Sequence, residues 1–262
     1  MIRTPVSVPI SLYQGVLPTV EVTIGGERSP FFLDTGAGVT AISVEEAARL
    51  RLTPFGRLSG HRMNGERIDM QRLDKLDVEI GGFSLRHESA AVLDLTALLP
   101  PDWPPIAGVL SLGTFLNQPV TLDLANSVLR LESEASLSAL TSSLPRLLAR
   151  IARPAQGVAC DLFVAAQSQQ GKVWFEVDSG NTGPTIVAPH AACQFGWPSV
   201  GNSTTTPAAE IRAFELIGFG MVTSEVVVKE LIYDGNLGRS FLEDHPLTLD
   251  LRSGSAWLAH GA

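Results

Sequence analysis

Two short segments place an acid, a small hydroxyl residue and a glycine in the same order: Asp34-Thr35-Gly36 and Asp178-Ser179-Gly180. Each follows an apolar run, Phe31-Phe32-Leu33 and Phe175-Glu176-Val177, so each carboxylate stands where a strand ends. Glycine permits a tight loop at that point, and the Thr35 and Ser179 hydroxyls are able to bond to a facing loop. If the two loops face each other, Asp34 and Asp178 come within hydrogen-bond reach and cannot both stay ionised, so they share one proton. Such a pair can hold a water molecule. The ionised partner removes its proton as it attacks a carbonyl, and the protonated partner donates to the carbonyl oxygen.

Asp followed by Gly is also ordinary turn chemistry, so one such triplet means little. The second copy changes that, because it belongs to a longer repeat. The aspartates are separated by 144 residues, and Pro119-Val120-Thr121-Leu122-Asp123-Leu124 reappears 127 residues later as Pro246-Leu247-Thr248-Leu249-Asp250-Leu251. Gly108 and Gly235 precede these two prolines by 11 residues each, so the second copy lost its 17 residues upstream of that point. Two lobes related by a pseudo-two-fold axis follow. We expect a first lobe over 1–131, a linker over 132–156 and a second lobe over 157–262.

The elements that must position the acids are mainly strands. Val20–Gly26 alternates at period two and ends in a Gly-Gly turn, with similar signals at Leu76–Gly82, Val120–Leu124, Val173–Val177, Glu225–Ile232 and Leu247–Leu251. Helical patterning is confined to Val44–Leu50, Pro189–Phe195 and Leu144–Ala152, the last with Leu144, Leu147, Leu148 and Ile151 at helical spacing. The expected class is therefore all-β with few short helices. Arginines at 146, 150 and 153 fit a solvated face of the linker, the alternative being a basic amphipathic helix that binds a partner.

Composition narrows the function classes. The chain of 262 residues is 45% hydrophobic and 18% charged, enough to fill a core. Its net charge of −8 argues against a nucleic-acid partner. No apolar run reaches the roughly 18 residues of a membrane span, and the first dozen residues lack a signal-peptide pattern. A cytoplasmic location is expected, or a periplasmic or secreted one if a leader has been removed. Cys160 and Cys193 are too few for a disulfide framework, and no bridge between them is expected.

These features resemble the aspartic peptidases of the retropepsin and pepsin group, in a single-chain, two-lobed bacterial form. The likeness rests on Asp34-Thr35-Gly36-Ala37, Asp178-Ser179-Gly180-Asn181, Ile106-Ala107-Gly108-Val109-Leu110 and Asp234-Gly235-Asn236-Leu237-Gly238. The resemblance implies two β-barrel lobes with Asp34 and Asp178 as the catalytic pair. Thr35 and Ser179 would brace the loops, and Gly36, Ala37, Gly180 and Asn181 would complete them against substrate. It also implies a glycine-rich flap over an extended peptide, placed within Leu58–Met70 at Gly60, His61, Arg62, Met63, Asn64 and Gly65, although the tyrosine usual in pepsin-like flaps is missing. The matching stretch of the second lobe, Gly201–Ile211, reads as a short polar edge rather than a second flap. Asn236 interrupts an apolar run, and Ser111 stands where the second lobe has Gly238. Neither is expected to touch the carboxylates.

The function implied is an aspartic endopeptidase acting as a monomer on peptide or protein substrates, without metal or organic cofactor. The alternative is a catalytically weak or inactive peptide-binding module on the same fold. Other motifs carry less. Gly36-Ala37-Gly38-Val39-Thr40-Ala41 matches a dinucleotide fingerprint, but Thr53–Arg57 offers no acid for a ribose and the β-α alternation does not continue. Ser111 has the wrong glycine spacing for a nucleophile elbow. His190 and Cys193 are short of a zinc ligand set, and His61, His87, His245 and His260 show no ligand spacing. Trp174 and Trp257 read as barrel core.

Overall fold

The computed structural model describes residues 2–87, 89–197 and 208–260. Three sheets organise them. The first-lobe sheet has ten strands, with Glu27–Leu33 at its centre between Leu17–Ile24 on one side and Gly108–Leu110 on the other. The second-lobe sheet has seven, and Gly171–Val177 is flanked by Asp161–Ser168 and Gly235–Leu237 in the same way. Pairing of Asp161–Ser168 with Glu210–Leu216 rolls this second sheet around its core. The fold is thus mainly β, two-lobed and poor in helix, as the strand signals predict.

Each acid-bearing strand makes one antiparallel and one parallel partnership, and the parallel one lies beside the acid. Phe31, Phe32 and Leu33 pair with Gly108, Val109 and Leu110, and Phe175, Glu176 and Val177 pair with Gly235, Asn236 and Leu237. A side chain at Gly108 or Gly235 would start 2.1 Å from the Phe31 ring or 2.4 Å from the Phe175 ring, so both positions need the bare backbone. Asp34 N–H then donates to Leu110 C=O and Asp178 N–H to Leu237 C=O, each at 3.0 Å, and the loops leave the sheet in matched directions.

The third sheet joins the lobes. Val120–Asp123 pairs antiparallel with Leu247–Asp250, putting Thr121 opposite Thr248, its own counterpart in the repeat. Their hydroxyls are 3.0 Å apart. Antiparallel neighbours related by a two-fold axis must pair each residue with its mate at the axis, so the axis passes between these threonines. Val6–Pro9 and Val128–Leu131 extend the sheet on one side and Ser255–Leu258 on the other. One continuous apolar core runs beneath both lobes, from Val22, Phe31 and Ile80 through Leu122 and Leu249 to Phe175 and Phe214.

Three expectations need correction. Leu144–Ala152 is extended: Ala149–Ala152 pairs with Asp161–Val164, and Leu147 and Leu148 donate to Ala256 C=O and Ile217 C=O. The helix in this part of the chain is Glu134–Thr141 instead, where Ser133 caps the first turn and Ser136 answers its backbone N–H. A further helix, Arg239–Asp244, had no clear signal. Trp174 and Trp257 are only half-buried, and the Arg150 guanidinium lies 5.7 Å from the Trp174 ring centre. Of Gly201–Ile211, positions 201–207 lie outside the described residues; the rest enters the strand Glu210–Leu216. Cys160 and Cys193 are both free.

Candidate active site

The two loops meet at the floor of a cavity of about 660 Å³ lined from both lobes. They are locked by a reciprocal set of four hydrogen bonds. Thr35 N–H donates to Ser179 Oγ at 3.1 Å, and Ser179 N–H donates to Thr35 Oγ1 at 2.9 Å. Each hydroxyl then donates across the axis, Thr35 to Val177 C=O at 2.7 Å and Ser179 to Leu33 C=O at 2.8 Å. Thr35 and Ser179 are buried, so these bonds are shielded from competing water.

The interlock presses each loop against the opposite acid. A Cβ at Gly36 would lie 2.4 Å from the Asp178 carboxyl carbon, and one at Gly180 2.5 Å from that of Asp34. No residue larger than glycine fits either position. Gly36 N–H donates to Asp34 Oδ1 at 2.9 Å. The N–H groups of Gly180 and Asn181 donate to Asp178 Oδ1 at 2.8 and 3.1 Å. Asp34, Gly36, Ala37, Asp178 and Gly180 all border the cavity.

The neighbouring acid changes the proton affinity of Asp34. Burial above all, and then the Asp178 charge, pushes the Asp34 carboxyl well above the usual carboxylate range, and the two side chains hydrogen-bond. This is the behaviour of a pair that holds one proton between two carboxyls.

The roof is a hairpin. Strands Phe55–His61 and Arg67–Leu73 are joined by a turn in which Gly65 N–H donates to Arg62 C=O at 2.8 Å, with Gly65 at φ +86°. Gly60, His61, Arg62, Met63 and Asn64 face the cavity, while Gly65 packs toward Ile232. The tip reaches the second lobe, where Ile232 N–H donates to Met63 C=O at 3.0 Å. Beneath the hairpin, the first-lobe wall is apolar, with Phe32, Val39, Leu95 and Val109 in one cluster.

The second-lobe wall differs, and here sequence reasoning missed residues. Asn236 touches the carboxylates after all: its Nδ2 donates to Asp178 Oδ2 at 2.8 Å and to Glu176 Oε2 at 3.1 Å. Glu176 is 2% exposed and borders the cavity, and its Oε1 has no hydrogen-bond partner. Burial first, then the charges of Asp178 and Asp161, drives its carboxyl up to about 9. Asp161, also buried, is pushed up to about 6 chiefly by burial. Burial likewise raises the Tyr233 phenol. The available signal was the repeat itself, which sets Glu176 against Phe32 and Asn236 against Val109.

The remaining candidates lie elsewhere. Ser111 supports the first loop from behind, exchanging hydrogen bonds with Thr40 and accepting from Gly113 N–H at 3.1 Å. His190 is exposed and bonds Asp234 at 2.9 Å, and Cys193 is exposed on the Pro189–Phe195 helix.

Residues 20–99, the segment holding the first acid loop and the hairpin, match the family described as gag-polyprotein putative aspartyl protease. No curated protein matches the sequence. Among solved structures the chain is similar to basic 7S globulin from soybean, at 10% identity and TM-score 0.62, covering 98% of this chain and 95% of that one. It is also similar to conglutin gamma, a basic 7S globulin from lupine seeds, at 11% identity and TM-score 0.61, covering 97% and 94%. At such low identity these two likenesses concern the fold. In class, the molecule is a two-lobed protein of the aspartic-protease fold. Within that fold, the match to the aspartyl-protease family lies in the first lobe, over residues 20–99.

Proposed function

We propose that the chain is an aspartic-type endopeptidase that hydrolyses peptide bonds with water activated between Asp34 and Asp178. The observation that carries this reading is the meeting of the two carboxyls at the floor of one interlobe cavity, each held by the other lobe's loop. The ionised carboxylate takes a proton from water as its oxygen attacks the peptide carbonyl. The protonated one donates to the carbonyl oxygen, giving a gem-diol. As the C–N bond breaks, the aspartate that accepted the water proton passes it to the departing amine, and the other aspartate takes back a proton from a gem-diol hydroxyl, leaving a carboxylic acid, an amine and one proton on the pair.

Substrate binds as an extended strand beneath the Phe55–Leu73 hairpin, its backbone paired to the hairpin and its side chains alternating between walls. Gly60–Gly65 acts as the flap, and the Met63 to Ile232 bond is the contact that opens to admit substrate. One chain supplies both acids, so the monomer is the active unit.

The test is incubation of the protein with a denatured protein substrate across about pH 4 to 6, with and without pepstatin, in water labelled with heavy oxygen. Expected are new peptides that carry the label in their carboxyl termini, and their suppression by pepstatin. Substrate retention without new peptides over the whole range would make the cleft a peptide-binding module instead.

A further inference from the structure

We propose that Asn236, held in place by Asn181 and partnered by Glu176, is a positioning residue that commits the negative charge of the acid pair to Asp178 and the proton to Asp34. This rests on the reading of that pair as the water-activating group, and it breaks the symmetry that the repeat would otherwise impose.

The direction of the hydrogen bonds can be deduced without ambiguity. Gly183 N–H, a donor only, gives to Asn181 Oδ1 at 3.0 Å. The other end of the Asn181 amide is therefore its NH2, which donates to Asn236 Oδ1 at 2.8 Å and to Pro184 C=O at 3.1 Å. Asn236 must then turn its own NH2 toward the acids, and both hydrogens are used, one on Asp178 Oδ2 and one on Glu176 Oε2. Asn236 is fully buried, so its amide is shielded from bulk solvent. A hydrogen bond from a fixed amide favours the ionised form of the carboxyl that receives it.

The first lobe has no counterpart. The positions equivalent to Asn181, Asn236 and Glu176 are Ala37, Val109 and Phe32, and Phe32 pairs with Val109 in the register in which Glu176 pairs with Asn236. Asp34 thus has an apolar wall behind it where Asp178 has a donor. The charged and titratable groups around Asn236 are all on the second-lobe side except Asp34. Glu176 and Asp178 come from Gly171–Val177 and its loop, and Asp161 from the adjacent strand with Arg153 near it. Tyr233 stands ahead of Gly235–Leu237, and Lys229 stands on the cavity wall. A neutral Glu176 supplies an acceptor for Asn236 without adding a second charge beside Asp178, which suits its strong burial.

Carbon-detected NMR titration of the aspartate and glutamate carboxyl carbons in the whole protein reads the assignment directly, whether or not peptide is cleaved. In the wild type, the Asp178 carboxyl carbon is expected to carry the lower of the pair's two steps and Asp34 the upper. In Asn236→Val, the residue of the first lobe, the lower step should rise by about one to two pH units and be shared between both carbons. The acid limb of any cleavage profile should rise with it. Glu176→Gln, which keeps a neutral acceptor, should leave the order unchanged. The lower step on Asp34 in the wild type, or an unmoved titration in Asn236→Val, overturns the inference while leaving the peptidase reading intact. The predicted order in a protein that cleaves nothing would do the reverse.

Discussion

At the scale of single residues, the site is built from atoms that each serve two partners. Thr35 Oγ1 accepts from Ser179 N–H and donates to Val177 C=O, so Thr35→Val keeps the shape but strands a buried donor and a buried acceptor. We expect a loss of about 1–3 kcal/mol in urea unfolding, with peptide cleavage falling further than the unfolded fraction explains. An unchanged midpoint would mean that the interlock is geometrically present but energetically idle. Glu176 makes a different prediction. Its carboxyl titrates near 4.5 when unfolded and at about 9 when folded, so the folded state binds the extra proton between those values. Stability should therefore be complete below the unfolded value and fall as pH rises from about 4.5 toward 9, by several kcal/mol in order of magnitude. Glu176→Gln should match the wild type near the acid end and be more stable than it at neutral and alkaline pH. Thermal melts across that range check both the sign and the flattening.

Elements show what was legible in the sequence and what was not. The acid loops were readable because their chemistry demands a short pattern at a strand end, and because that pattern came twice in matching surroundings. The Thr121–Thr248 pairing was implicit in the same repeat. Glu176 and Asn236 were not readable as a pair, since they lie 60 residues apart and meet only in a parallel register that no local signal announces. The Leu144–Ala152 segment shows tertiary contacts overriding pattern. Its leucines sit at helical spacing, yet its backbone is used by Asp161–Ser168, Ala256 and Ile217, while Leu147 fills the core. The hairpin roof was placed by its two glycines. Gly65 holds a left-handed turn, and a Cβ there would stand 3.3 Å from Ile232 Cγ2, so Gly65→Ala should strain the tip by about 1 kcal/mol and displace it from the second lobe. The expected signature is a several-fold loss in kcat/KM with a melting temperature close to the wild type. A variant with unaltered kinetics would show that the tip does not govern access.

On the scale of the whole molecule, symmetry and its breaking divide the labour. The shared sheet and the continuous core hold the two lobes at one fixed spacing, and that spacing decides whether the carboxyls can trade a proton. The walls above them are unlike, apolar on the first-lobe side and lined by Glu176, Lys229 and Tyr233 on the second. The raised Asp34 carboxyl should extend the alkaline side of the activity profile beyond the range of isolated carboxylates, because the pair keeps its shared proton to higher pH. The most direct measurement is the pH–rate profile for cleavage of one defined peptide by the wild type, Asp34→Asn and Asp178→Asn. Expected are a bell weighted toward acid for the wild type and a loss of about 10³-fold or more in each variant at every pH, with the fold preserved. Cleavage by either variant at the wild-type rate would rule out water activation between Asp34 and Asp178.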